Sequence, residues 1–600
     1  MTTTPPRWDL ANVYPGLESP ELALDIDWVR QATASLQEMY QTDLVKFDAS
    51  SSKKAINEAM SAVVEKMNSL LEKATTIRAY LQSFIATDSF NQQAMQMGSK
   101  FDKVMVGIQK ISVLLQSWLG QFEDVLPEVL ALGNSAGEHA FPIKEMVEQS
   151  QYLMSEKEEI LSSELSLSGS RAWSKLQGTV TSQKTVDFEL NGEVQTLPMP
   201  ALINLHAHPD ESVRKRAYEA EMVAWESVKE PLAACMNGIK GWVNTLNEHR
   251  GRKDALHEPI DQARIDRETL EAMLEAMQDS FPTFRRYFKA KAARFGQDAL
   301  PWWNVFAPVG KLDKEYSFAE ARDFILKNFG NFSDELRDFA RTAFDNRWID
   351  AEQRSGKQGG AFCMSVPGVK ESRILCNFDG SLDQVMTIAH ELGHGYHNFN
   401  MYQAKKTYLQ RLTPMTMAET ASIMCETIVF NAVMETISDP QEELALLETA
   451  LVSDSQVVVD IYSRFLFEKE VFKRREKSEL SADELCEIME NAQAQTYGEG
   501  LDPDYRHKFM WTWKPHYYSA GLSFYNFPYT FGMLFGVGLY AIYQQRGEAF
   551  IPDYKELLSS TGDAPAADLA ARFDIDIRSK KFWVDSLSVI GKRVDRYCKL

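Results

Sequence analysis

The stretch His390-Glu391-Leu392-Gly393-His394 places two imidazoles four residues apart, with a carboxylate next to the first. On an α-helix, residues four apart lie one turn along the same face, so both rings can ligate a single Zn²⁺. Glu391 then stands about 100° round the helix from His390. There its carboxylate can take a proton from a water bound to the metal. Such a site needs a third protein ligand and an open fourth position. His397, one turn beyond His394, is the nearest extra imidazole. The extended pattern with a third histidine requires Gly at 397 and His at 400, whereas this chain has His397 and Asn400, so that class is excluded. His397 is read as a packing or hydrogen-bonding group. A glutamate from a second helix is the alternative, and Glu419 in Met417-Ala-Glu-Thr-Ala-Ser422 fits, far enough on for the chain to reverse. Glu426, seven residues later on the same helical face, is expected to accept a ring N–H from a ligand histidine and fix its tautomer.

This chemistry holds only if the motif is helical. Ser381 with Gln384 forms a capping box, and Val385, Met386, Ile388, Ala389 and Leu392 continue helically. Thr416-x-x-Glu419 is also a possible capping box, which would occupy Glu419 as a cap. Thr413-Pro414 is the stronger start, because Pro favours the first helical position. A helix beginning there has Glu419 already inside it and free to ligate.

The chain has 600 residues, 44% apolar and 25% charged, which is ordinary globular composition spread over more than one core. Its net charge of −21 repels phosphate backbones and anionic lipid, so nucleic acid and membrane surfaces are not expected partners. The six cysteines are scattered, with no C-x-x-C pair, and the N-terminus lacks the apolar core of a signal peptide. A cytoplasmic protein is expected. Leu522–Tyr543 carries no charge and is long enough to span a bilayer. Asn526, Pro528, Tyr525, Tyr529 and Tyr540, without flanking basic residues, favour a buried helix pair instead.

Helical periodicity dominates, with clear segments near 20–45, 52–90 and 94–125. Val186–Leu190 and Glu193–Leu197 alternate on either side of Asn191-Gly192, the signature of a type I′ hairpin. Arg373–Phe378 reads as a short strand. The class is mostly α with small β elements. Residues 1–199 are taken as an N-terminal helical region ending in the hairpin, and 200–600 as the catalytic region.

Gly359-Gly-Ala-Phe-Cys-Met-Ser-Val-Pro-Gly368, Ile374-Leu-Cys-Asn-Phe378 and Thr387-Ile-Ala-His-Glu-Leu-Gly-His-Gly395 together resemble oligoendopeptidase F, a relative of thimet oligopeptidase and neurolysin. The opening Trp8-Asp-Leu-Ala-Asn-Val-Tyr-Pro15 is similar to N-termini of the same family. The resemblance implies a two-lobed helical zinc peptidase with a deep central channel that admits oligopeptides. It also implies one Zn²⁺ per chain on His390, His394 and Glu419, with Glu391 as base. It places a histidine and tyrosines late in the chain, matched here by His516-Tyr517-Tyr518 and Phe524-Tyr525-Asn-Phe-Pro-Tyr529. An imidazole and a phenol are donors suited to a tetrahedral oxyanion, with Tyr525 and Tyr529 both open for that role. Gly359, Gly360, Ala361 and Phe362 are expected to offer a strand edge to an extended peptide. The expected reaction is internal cleavage of oligopeptides. Two other readings use the same residues: a zinc exopeptidase, and a helical peptide-binding protein without catalysis.

Overall fold

The structure is a computed structural model that describes residues 4–310 and 314–600. Residues 1–3 of the N-terminus, which the signal-peptide reading includes, lie outside these. Helices dominate, and the described strands form one two-stranded and one three-stranded sheet.

The chain divides into two compact, interleaved units. The first comprises Met1–Leu153, Lys314–Val433 and Ile542–Phe573. Compactness therefore parts the chain at 153/154, whereas the sequence suggested a boundary at 199/200. Three long helices open this unit: Pro20–Thr42, Lys53–Thr87 and Gln92–Gly120. Each starts where a small polar side chain takes up a first-turn N–H: Ser19 from Leu22, Ser52 from Ala55, and Asn91 from Ala94. Their apolar faces meet in one core that includes Val29, Met60, Ile77, Ile108 and Trp118.

The same unit holds the three-stranded sheet. Glu371–Leu375 is central, paired parallel with Ile349–Asp350 and antiparallel with Phe362–Val366. The expected strand near 375 thus starts two residues earlier and ends at Leu375. Phe362–Val366 lies at the sheet edge. The helix Leu382–Gln403 packs on both of these longer strands and on the helix Phe550–Ser559.

The second unit comprises Met154–Asp313, Met434–Ala541 and Asp574–Leu600. Its hairpin pairs Thr185–Leu190 with Glu193–Pro198 across Asn191 (φ 56°) and Gly192 (φ 83°), the left-handed pair that a type I′ turn needs. The helices Met199–Asn204 and Glu211–Glu226 pack on it, and elsewhere in the unit Arg267–Arg294 packs against Lys580–Tyr597 and Ile461–Arg475 against Ala482–Tyr497. The uncharged stretch from 522 is one helix, Phe527–Arg546, preceded by turns, where a helix pair was expected. Among the described residues, no helix is long and apolar enough to cross a membrane.

Candidate metal centre and active site

His390, Glu391 and His394 lie within the helix Leu382–Gln403, as their spacing requires. Ser381 caps it by accepting from the Gln384 N–H, but the reciprocal half of the box is not made. Gln384 Oε1 is instead buried without a partner among the described residues. A one-turn helix, Met415–Ala418, starts after Pro414 and ends at Glu419, and the next helix runs Thr420–Thr436. Glu419 therefore occupies a helix junction (φ −83°, ψ 0°). The sequence placed it inside one continuous helix, and the break at Ala418 turns its carboxylate toward the histidines.

One ligand atom each from His390, His394 and Glu419 lie within 4.8 Å of one another. Glu419 Oε2 is 3.3 Å from His390 Nε2 and 3.5 Å from His394 Nε2. Two imidazole nitrogens and a carboxylate oxygen this close can hold one divalent metal ion, and the set suits zinc. The groups behind the ligands are also fixed. His390 Nδ1 lies 2.9 Å from Glu426 Oε2. His394 hydrogen-bonds the Ala418 main chain. The Ser422 hydroxyl donates to Glu419 Oε2 at 2.6 Å.

The charges follow from this packing. Burial would lower His390, but hydrogen bonds with Glu419 and Glu426 outweigh it and hold the ring up at about 10. Burial opposes ionisation of Glu419, yet His390 and His394 bring it down to about 2. His394 is pushed down to about 4, chiefly by burial. Glu391 is buried, and burial raises it to about 7. Its Oε2 has no hydrogen-bond partner among the described residues. A buried carboxylate oxygen left unpaired beside a metal-ligand set is poised to exchange a proton with something that enters the site.

A cavity of about 650 Å³ opens on these groups. Its walls include all three candidate ligands, Glu391, His397, Arg411, Ala361 and the strand residues Phe362, Cys363 and Ser365. The profile of Peptidase family M3 matches residues 204–589, more than half of the chain.

The chain belongs to peptidase family M3.

This M3 chain resembles oligoendopeptidase F along nearly its whole length. It is 21% identical to the Oligoendopeptidase F homolog of Lactococcus lactis subsp. lactis over 99% of this chain and 97% of that one. It is also 21% identical to Oligopeptidase PepF of Bacillus subtilis, covering 76% of this chain and 68% of the relative. A solved chain from Chlamydophila abortus shares its fold with a TM-score of 0.85, covering 99% and 98% of the two chains at 17% identity.

Other residues singled out in the sequence fall as follows. His397 is buried, 2.9 Å from the Thr561 hydroxyl, which meets the Thr413 hydroxyl at 2.9 Å. That is the hydrogen-bonding role expected of it. Gly359 and Gly360 lead into the edge strand, and Gly360 needs its φ of 80°. His516, Tyr525 and Tyr529 belong to the second unit. The His516 ring lies near-parallel to Tyr525 at 5.6 Å, and the two tyrosine hydroxyls hydrogen-bond each other. Burial pushes His516 down to about 3, with Arg464, Lys240 and Lys514 adding to the effect, so the ring is neutral. Its Nε2 has no hydrogen-bond partner among the described residues.

Sequence reasoning missed Ser422 and the Ala418 main chain as supports, and Arg411 in the cavity wall. Only Ser422 left a local signal, three residues after Glu419 on the same helical face.

Proposed function

We propose that this M3 peptidase is a zinc-dependent endopeptidase of short oligopeptides. The observation that carries the reading is the convergence of His390, His394 and Glu419 within 4.8 Å, beside the unpaired buried carboxylate of Glu391. The names of the relatives above support the substrate class. Zinc, when bound, polarises the scissile carbonyl and acidifies water. His390, His394 and Glu419 hold the ion, while Glu426 and Ser422 keep ligand atoms aimed at it. Glu391 takes a proton as water attacks and returns it to the leaving amine, a task suited to a buried carboxylate whose Oε2 has no hydrogen-bond partner among the described residues.

An extended peptide adds to the outer edge of Phe362–Val366 through main-chain hydrogen bonds. Gly359, Gly360 and Ala361 lead into that edge, and Ala361 and Phe362 share the cavity with the ligands. His516, with Tyr525 or Tyr529, donates to the tetrahedral oxyanion; this assignment rests on the resemblance, and the neutral His516 ring suits it. The six free cysteines accord with a cytoplasmic setting.

The test is an octapeptide blocked by acetyl and amide groups, incubated with zinc-loaded protein and read by product mass. Two internal fragments are the expected result. Single residues released from an unblocked peptide, with the blocked one untouched, would establish the exopeptidase. Saturable binding with no product would establish the binding protein.

A further inference from the structure

Among the described residues lining the catalytic cavity, Arg411 is the one arginine or lysine. Its side chain is only 9% exposed, and four neighbours fix it. One terminal nitrogen donates to Glu72 Oε2 at 3.0 Å and the other to the Lys406 carbonyl at 3.3 Å. The guanidinium carbon lies 4.7 Å from the Tyr402 ring centre and 5.9 Å from that of Tyr408. Those rings are held in turn: the Tyr402 hydroxyl meets Ser365 Oγ at 2.6 Å, and the Tyr408 hydroxyl accepts from Thr75 at 2.9 Å. All of these residues belong to the first unit.

Glu72 does not line the catalytic cavity. It lines a neighbouring one of about 490 Å³, whose walls do not include Arg411. The carboxylate therefore anchors the guanidinium from behind. A guanidinium has five N–H donors in a rigid fork, and the two hydrogen bonds above leave others for the cavity. Stacking and anchoring remove most of the rotamer entropy that an arginine loses on binding a ligand. Ser365, which holds Tyr402, lies on the edge strand itself. An arginine fixed beside the edge that takes up an extended peptide has the geometry of a specificity group.

We infer that Arg411 reads a carboxylate on the bound peptide, so that peptides carrying an anion at one position are preferred substrates. The inference rests on the peptidase reading for its biological sense. The carboxylate is either the free C-terminus or an acidic side chain, which present the same two oxygens to the fork.

The test measures equilibrium binding of octapeptides to the zinc-loaded Glu391→Gln protein, so that no peptide is consumed. One peptide is neutral and amidated, one has a free C-terminal carboxylate, and a series of amidated peptides carries a single glutamate at each position in turn. At least one anionic peptide should bind tenfold or more tightly than the neutral amide. Preference for the free terminus alone, or for one glutamate position alone, tells the two sources apart. Adding Arg411→Gln should cut that preference to threefold or less, and Arg411→Lys should keep part of it. The inference is overturned if no anionic peptide is preferred when Arg411 is intact, a comparison that needs no Arg411 variant to fold. It is also overturned if the preference survives Arg411→Gln. Cleavage of the neutral amide by the parent protein reports separately on the peptidase reading, which can fail while the binding preference stands.

Discussion

His390 meets two carboxylates, Glu419 through Nε2 at 3.3 Å and Glu426 through Nδ1 at 2.9 Å. The first is a fellow candidate ligand, and the second is proposed to set the tautomer that leaves Nε2 for the metal. Glu426→Gln should therefore weaken zinc binding about 10- to 100-fold, measured by competition with a chelator. An unchanged zinc affinity would remove Glu426 from the account. Residue-level placement was legible where it is periodic: His390, Glu391 and His394 lie on one helix as their spacing requires, whereas Glu419 was expected inside the next helix and lies at the junction before it. Arg411 and the Ala418 main chain were not legible, because their roles depend on Glu72, Tyr402 and His394, which tertiary packing brings to them. The Met415–Ala418 break escaped notice because Pro414 signals a helix start and nothing local signals its end one turn later.

At the scale of elements, the histidine helix and the helix from Thr420 cross at Gly393. A Cβ there would lie 2.5 Å from the Ala421 carbonyl oxygen and 2.5 Å from Ser422 Cα, both backbone atoms that cannot swing aside. The motif's second variable position thus lets the histidine helix and the helix that follows Glu419 approach closely. Gly393→Ala should push them apart, with a cost of about 1–3 kcal/mol or more in stability from overpacking. Because the shift separates His390 and His394 from Glu419, zinc affinity should fall as well. Chemical denaturation with and without zinc, and a chelator titration, check both effects. A variant as stable as the parent, with the parent's zinc affinity, would contradict this account of the crossing. The long N-terminal helices and the hairpin were legible because their caps and turn are written locally in Ser19, Ser52, Asn91 and Asn191-Gly192. The expected helix pair at 522–543 was misread because burial and membrane insertion both favour uncharged stretches, and neither marks where a helix starts.

For the whole molecule, the interleaving of the two units was not legible. Which unit a segment joins is set by non-local packing, and no change of composition marks 153/154 or 313/314. Each unit nevertheless carries buried neutral imidazoles that bear on global stability. His206 lies 3.2 Å from Glu221 Oε2, and burial holds it down at about 4 against an ordinary value of 6.5. His397 and His516 are likewise pushed down by burial, to about 4 and about 3. Between 6.5 and about 4 the unfolded chain binds more protons at these sites than the folded one does. Their contribution is therefore complete above pH 6.5 and is lost as pH falls toward 4. The urea midpoint of the zinc-loaded protein should drop across that window, and His206→Gln should make the drop shallower. A midpoint that held constant from pH 6.5 to 4 would contradict the buried-imidazole account.

We propose that internal peptide bonds are hydrolysed at a metal-centred site with Glu391 as its base. The most direct test compares the parent and Glu391→Gln on an internally quenched octapeptide, with zinc content measured in both. One zinc per chain is expected in each protein, with rapid internal cleavage by the parent and a kcat at least about a thousandfold lower in the variant. Equal turnover by the two proteins, at equal zinc content, would contradict this proposal.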